Sequence, residues 1–357
     1  MAKATVHFLP VGDGEPVESV AEKALRLCGE VFGAVVVPDR PCALKQHFGE
    51  GENTNFVKPE VTRAVAGFVK DRGGHPFVTD TNTLYRGNRS DAVKHLRQAR
   101  DHGFTFEALG APVIIADGLL GSDQVSVPIS NGKHFDQVRI AAAGHHAASS
   151  IVITHVKGHC LAGFGGAIKN VGMGYAARAG KLAQHHNSYP LFLEEKCTAC
   201  GTCVRWCPAD AITLESVARL HPEKCIGCGE CYALCPFDAI DFQWSEDGPV
   251  LNEKMCEHVA GFLANKPGRV GYLNFVMDMA RNCDCMGGKQ PIEYPNIGIL
   301  AGTDIVAVDK ASADIAIERY GKDIWRDWWP SSDYAAQFAY GERIGIGSQA
   351  YEIVELS

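Results

Sequence analysis

A chain of 357 residues exceeds the usual single-domain length, and with 46% hydrophobic and 21% charged residues it has the composition of an ordinary globular protein, neither disordered nor membrane-spanning. A formal charge of −8 without any Lys/Arg-rich block leaves no electrostatic footprint for nucleic acid or for an anionic membrane surface. The amino terminus lacks the basic-then-apolar profile of a secretion signal, so we expect a cytoplasmic protein whose fourteen cysteines serve as thiols and metal ligands, not disulfides.

Up to residue 190 the pattern alternates strand and helix. "ATVHFLP" reads as a strand, and "PVESVAEKALRLCGEVFG" as a helix with Val17, Val20, Ala21, Ala24, Leu25 and Cys28 on one face. "ALKQHF" is strand-like, "KPEVTRAVAGFVKDRGG" is a helix closed by a glycine pair, and "HPFVTD" is a strand followed by a helix across "SDAVKHLRQARDHG". "APVIIAD", "QVRIAA" and "SSIVITHV" continue the series as strands. After residue 245 the same grammar returns in "EKMCEHVAGFLANK", "RVGYLNFV", "NIGILA" and "VDKASADIAIERYG", where Thr303 or Asp304 could cap the last helix. Strands alternating with helices predict an α/β domain with a mainly parallel sheet, in two parts, 1–190 and 246–357, flanking an insert at 191–245.

The insert carries "CTACGTCVRWCP" and, from Cys225, "CIGCGECYALCP": the run C-x2-C-x2-C-x3-C-P twice. This is the spacing of a bacterial two-cluster ferredoxin, in which three close thiolates grip one [4Fe–4S] cube and the fourth reaches across to the other. The expected sets are Cys197, Cys200, Cys203 with Cys235, and Cys225, Cys228, Cys231 with Cys207. Gly201, Gly227 and Gly229 would permit the tight path, Pro208 and Pro236 would turn the chain away, and "ADAITL" and "FDAIDF" would close each half as short strands. Two four-cysteine zinc sites would share the C-x2-C element, but the third cysteine and the Cys-Pro ending are not zinc-ribbon features. Such clusters work at low potential, about −400 mV in ordinary ferredoxins, one electron at a time.

The other conspicuous stretch, "HVKGHCLAGFGGAIKNVGMG" from His155 to Gly174, holds six glycines at what should be the carboxyl end of a central strand, where open α/β sheets bind ligands. It lacks the Gly-Lys-Ser/Thr of a Walker A loop and matches the dinucleotide fingerprint only in part. A cofactor phosphate cradled by Gly163, Gly165, Gly166 and Asn170, with Lys45 and Lys169 as counter-charges, is one expectation; close packing of chain segments is the other. His159 is the candidate proton donor. His155 and His159, four apart, are not expected on a helix as metal ligands, and the pairs His145-His146 and His185-His186 carry less weight. "NCDCMGG" places Cys283 and Cys285 two apart, as redox thiols or as metal ligands with Cys256; Cys28, Cys42 and Cys160 read as core or site-lining thiols, and the tryptophans of "IWRDWW" as packing.

Taken together, "VKGHCLAGFGGAIKNVGMG", the twin cysteine motifs, "NCDC" and "IGILAGTDIVAVDKASAD" resemble the family named domain of unknown function 362, in its form with an embedded ferredoxin. The resemblance implies an iron–sulfur protein of low-potential metabolism and leaves the activity open. The expected function is an oxidoreductase whose two clusters pass electrons to an organic cofactor in the α/β part, a flavin mononucleotide or a modified flavin, because cubes move single electrons and most organic reductions need two. An electron carrier that docks a redox partner, or a protein that delivers a cofactor, are the alternatives. Substrate and oligomeric state, a homodimer included, are not written in the sequence.

Overall fold

The computed structural model describes residues 3–185, 189–241 and 248–356, so His186, Phe242 and the expected 245/246 boundary lie outside the described residues. An eight-stranded sheet runs, edge to edge, Tyr351–Glu355, Ala4–Pro10, Gly298–Gly302, Val270–Val276, Ser149–His155, Pro41–Gln46, His75–Asp80 and Val113–Ile115. Among the described residues of this sheet, only Gly298–Gly302 is antiparallel to its neighbours; the other adjacent pairs are parallel, so the fold is mixed α/β with a mainly parallel central sheet. Strands from both sides of the cysteine-rich segment join this one sheet.

The central strands are apolar without a break because both faces are covered. In Ser149–His155, Ile151 and Ile153 face one core and Val152 the other; in Val270–Val276, Leu273 and Phe275 oppose Tyr272 and Val276 in the same way. Helices Val17–Val31 and Pro59–Asp71 cover the first face, while Gly248–Leu263, Ile305–Tyr320 and the short Ala167–Gly172 cover the second. Asp304 caps Ile305–Tyr320 by accepting from the Ala307 N–H at 2.9 Å. Trp325 and Trp328 are core residues, the first edge-on to Phe164.

Three expectations need correction. Leu25 is exposed and Leu27 takes its place in the core, because the buried stripe of that helix is Val20, Ala21, Ala24, Leu27 and Cys28. "QVRIAA" does not enter the main sheet but pairs with Gln124–Pro128 as a separate hairpin, and Cys160 is exposed. Within "HVKGHCLAGFGG" the chain also forms an antiparallel hairpin, Lys157–His159 with Gly163–Gly165.

Residues 191–241 form a small body with its own core of Cys203, Ile212, Ala218, Cys231, Tyr232 and Ile240, joined by Leu84 and Leu182 from the larger part. The 28-residue sequence repeat is a repeat of conformation. A 3-10 turn leads into Cys197 and another into Cys225, left-handed backbone recurs at Ala199 and Gly227, at Gly201 and Gly229, and at Asp210 and Asp238, and a short helix follows each glycine. The short strands Ile212–Leu214 and Ile240–Asp241 sit where each half was expected to close.

Candidate functional site

Four of the motif thiols, Cys197, Cys200, Cys203 and Cys235, line one small cavity, so the first triad is met by the last cysteine of the other half. Backbone N–H groups point at these sulfurs, with Ala218 donating to Cys197 at 3.4 Å and Ala239 to Cys235 at 3.4 Å, and Ala211 donates likewise to Cys207, the last cysteine of the first half, at 3.2 Å. N–H groups aimed at thiolate sulfur favour the charged form and tune a metal centre bound there. In the second half, burial pushes the Cys231 thiol up, with Cys228 and Cys225 adding to it as near neighbours.

A second cavity, of about 110 Å³, lies where the carboxyl ends of the parallel strands meet the glycine-rich stretch. Lys45, Arg89, Lys157, Lys169 and Lys181 line it, with His47, His159, Asp80, Tyr85, Asn170 and Cys285 among the other walls. Strand ends position these groups: Lys45 is the penultimate residue of Pro41–Gln46, Asp80 ends His75–Asp80, and Lys157 follows Ser149–His155. Each cation is held from behind. Lys45 reaches Asp80 at 2.9 Å and Asn170 Oδ1 at 2.9 Å, Arg89 bridges Glu50 at 3.0 Å and Asp80 at 3.2 Å, and Lys157 meets Asp284 at 3.2 Å. Lys169 Nζ lies 3.2 Å from the Cys283 sulfur. Lys181 donates to Thr81 Oγ1 at 2.6 Å and, among the described residues, pairs with no carboxylate. Lys45, Arg89 and Lys157 are offset by Asp80, Glu50 and Asp284, whereas Lys169 and Lys181 form no ion pair with a carboxylate among the described residues, which makes the cavity one for an anion.

Burial pushes Lys181 down to about 8, with Asp117 pulling the other way. Burial, with the nearby Lys169, also lowers His159 well below the ordinary imidazole range, so that ring is neutral. Its Nδ1 accepts from the N–H groups of Leu161 at 3.3 Å and Ala162 at 3.0 Å, which places the ring proton on Nε2.

Of the residues singled out from sequence, Lys45, His159, Lys169, Asn170, His185 and Cys285 come together on this cavity, and Gly163, Gly165 and Gly166 do not line it. Those glycines serve close packing instead. A Cβ on Gly166 would sit 2.4 Å from Asp309 Oδ1, whose carboxylate accepts from the N–H groups of Ala167 at 2.6 Å and Ile168 at 2.8 Å. The first N–H groups of that short helix are thus taken by an internal acid and are not free for a phosphate. Gly163 takes left-handed backbone at φ +75 and abuts Tyr334, and a Cβ on Gly158 would lie 2.1 Å from the carbonyl oxygen of Arg281.

His159, Cys283 and Cys285 present ligand-type atoms within 4.8 Å of one another, whereas Cys256 is a core thiol on the helix Gly248–Leu263, hydrogen-bonded to Gln337. His155 turns elsewhere, to Asp284 at 2.8 Å. Sequence reasoning missed His47, Asp80, Tyr85, Arg89, Lys157, Lys181 and Asp284. One available signal was the charged residue that ends each apolar strand, as in "ALKQ" and "HPFVTD".

The segment Leu84–Tyr85–Arg86 joins the two sites. Leu84 lines the cationic cavity and also packs in the cysteine-rich core. Tyr85 donates to the Cys285 carbonyl at 3.3 Å, and Arg86 donates to the carbonyl of Tyr232, next to Cys231, at 3.2 Å.

The chain belongs to the family domain of unknown function 362 (DUF362), whose model matches residues 42–314, about three quarters of the sequence. No curated protein matches it. Among solved structures, the lactate racemase apoprotein of Thermoanaerobacterium thermosaccharolyticum is similar at 12% identity over 77% of this chain and 51% of that one, with a TM-score of 0.37. A structural-genomics protein from Thermotoga maritima is similar at 8% identity over 86% of this chain and 60% of its own, with a TM-score of 0.46. The chain thus spans between half and two thirds of the length of these neighbours. Among the described residues no helix is long and apolar enough to cross a membrane.

Proposed function

We propose that the protein is a low-potential iron–sulfur oxidoreductase that feeds electrons from its cysteine-rich body to an acceptor in the cationic cavity. Cys197, Cys200, Cys203 and Cys235 would hold one [4Fe–4S] cluster, and Cys225, Cys228, Cys231 and Cys207 the other. The observation that carries this reading is the cavity walled by thiols from both halves of the repeat, with N–H donors aimed at the sulfurs. When bound, each cluster supplies one low-potential electron at a time. The protein's own part is to exclude water with Leu84 and Leu182, to link Tyr232 to Cys285 through Arg86 and Tyr85, and to hold an anion against Lys169 and Lys181.

A cavity of about 110 Å³ is well below the roughly 300 Å³ of an ordinary small-molecule pocket, so it fits a phosphate or a small anionic substrate. A flavin mononucleotide would present its phosphate here and keep its ring outside. Anaerobic purification followed by iron and sulfide counting, and by mass spectrometry of whatever acid releases, tests the reading. About eight irons per chain with a phosphate-bearing or small anionic molecule released is the expected result. Iron with nothing bound, and no turnover, would favour an electron carrier; no iron would overturn the proposal.

A further inference from the structure

Cys283, Asp284 and Cys285 belong to a β-turn closed by the Met286 N–H on the Cys283 carbonyl at 2.9 Å. Such a turn brings its first and third side chains together, and the two sulfurs lie within 4.8 Å. The turn is pinned from three sides. The Asp284 carboxylate is held by His155 at 2.8 Å and Lys157 at 3.2 Å, its carbonyl accepts from the Glu50 N–H at 3.1 Å, and Tyr85 holds the carbonyl of Cys285. Cys283 is buried against the Lys169 ammonium, while Cys285 is half-buried and forms part of the cavity wall.

The same three residues could be taken for a single-ion site, but a ligating histidine almost always donates its second ring nitrogen to an acceptor. His159 does the reverse: its Nδ1 accepts two backbone N–H groups, so Nε2 carries a proton and is a donor, not a ligand. The remaining chemistry is that of a thiol pair beside one fixed cation and one hydrogen-bond donor.

We propose that Cys283 and Cys285 form a redox-active dithiol, the two-electron station of the cationic cavity, with Lys169 holding the Cys283 thiolate. This deepens the function proposed above and supplies its missing one-to-two electron step. In the oxidised form a Cys283–Cys285 disulfide closes the turn. Two one-electron donors of the iron–sulfur class deliver two electrons and the S–S bond breaks. Cys285 takes up one proton to become a thiol, and Cys283 remains a thiolate against Lys169, so one proton is consumed per two electrons. In the reverse direction the disulfide re-forms, and both electrons and the Cys285 proton pass to a two-electron organic acceptor of the flavin class bound through its phosphate in the cavity. The hydrogen bond from Cys285, reinforced by the Lys169 charge, holds Cys283 well below the ordinary thiol range, while the same hydrogen bond pushes Cys285 up, the division of labour that thiol exchange needs.

The test uses the full chain, equilibrated anaerobically in buffers of reduced and oxidised dithiothreitol, trapped with N-ethylmaleimide and digested with trypsin. Cleavage after Arg281 and Lys289 leaves both thiols in one peptide, Asn282–Lys289. We expect that peptide to carry two maleimides when reduced, and none, with two hydrogens lost, when oxidised. The ratio of the two forms should change tenfold for each tenfold change in the dithiothreitol ratio, as a two-electron couple requires. Lys169→Met should slow Cys283 alkylation by about tenfold or more while the peptide still oxidises. Two findings would overturn the proposal: a peptide that keeps both maleimides under every oxidant including diamide, or one non-iron metal ion per chain that shields both thiols and is lost in Cys283→Ser. Iron counted on the same samples separates the two readings. Iron near eight with inert thiols sinks the dithiol alone, and absent iron with a switching peptide sinks the cluster reading alone.

Discussion

Replacing Asp284 by alanine removes one member of a buried ion pair and leaves the other. Asp284 is fully buried, and Lys157 and His155 are only 5% and 4% exposed, so water cannot replace the lost carboxylate. Breaking such a pair costs about 3–5 kcal/mol, because the remaining ammonium is stranded in a poor solvent. At about 4 kcal/mol the opening equilibrium of the surrounding strands shifts roughly a thousandfold. The assay is native-state hydrogen exchange of the Ser149–His155 amides, which should lose protection by that factor at pH 7. Burial alone would raise the Asp284 carboxyl, but His155 and Lys157 outweigh it and hold it well below the ordinary value of 3.8. A lowered folded value means that the stabilisation is complete above the unfolded value of about 3.9 and is lost as pH falls through the folded one. The gap between wild type and variant should therefore be flat from about pH 5 upward and close only in acid. Adding Lys157→Met should restore part of the loss by removing the stranded charge. A single variant within about 1 kcal/mol of wild type, or a gap unchanged at about pH 3, would refute the argument.

Gly166→Ala places a methyl 2.4 Å from Asp309 Oδ1, so the carboxylate must leave the Ala167 and Ile168 N–H groups; a loss of about 2–3 kcal/mol should appear in urea unfolding. Cys235→Ala should halve the iron content to about four per chain, whereas Cys256→Ala, which removes a core thiol, should leave it unchanged by colorimetric count. Because burial sets Lys181 at about 8 and only its protonated form attracts an anion, phosphate affinity measured by calorimetry should fall as pH rises from 6.5 to 9.5, and Lys181→Met should flatten that dependence.

Much of the scaffold was legible because its two periodicities are strong. Ser149–His155 and Val270–Val276 are apolar throughout since both faces are covered, and Val17–Val31 shows its stripe at helical spacing. The cysteine spacing groups Cys197, Cys200 and Cys203 with Cys235, and those four line one cavity although the third and fourth are 32 positions apart in sequence. The antiparallel insertion of Gly298–Gly302 was not legible, because strand direction depends on how the connections close and not on the strand's own residues. Nor were the partners of Lys45, Lys157 and Lys169: Asp80, Asp284 and Cys283 lie 35, 127 and 114 residues away in sequence, and only the fold sets those distances. The glycines were the ambiguous case, since bare backbone serves a ligand and a neighbouring chain segment equally well.

That ambiguity resolves toward the chain segment, and the site depends on it. Gly158 has no room for a Cβ because the Arg281 carbonyl stands 2.1 Å from where one would be, and its own N–H bonds the Ala280 carbonyl at 2.9 Å. This close passage brings the loop of Cys283 and Cys285, from one side of the insert, against Lys169 and His159, from the other. Any side chain at 158 would push the loop outward and separate the Lys169 ammonium from the sulfur. The glycine-rich stretch therefore shapes the site by admitting a second strand of protein, and the cationic cavity exists only where the two flanks of the cysteine-rich insert meet. On the function proposed above, an electron donor inserted between those flanks would be tethered on both sides to the cavity it serves, and Leu84, Tyr85 and Arg86 form the contact between the two parts.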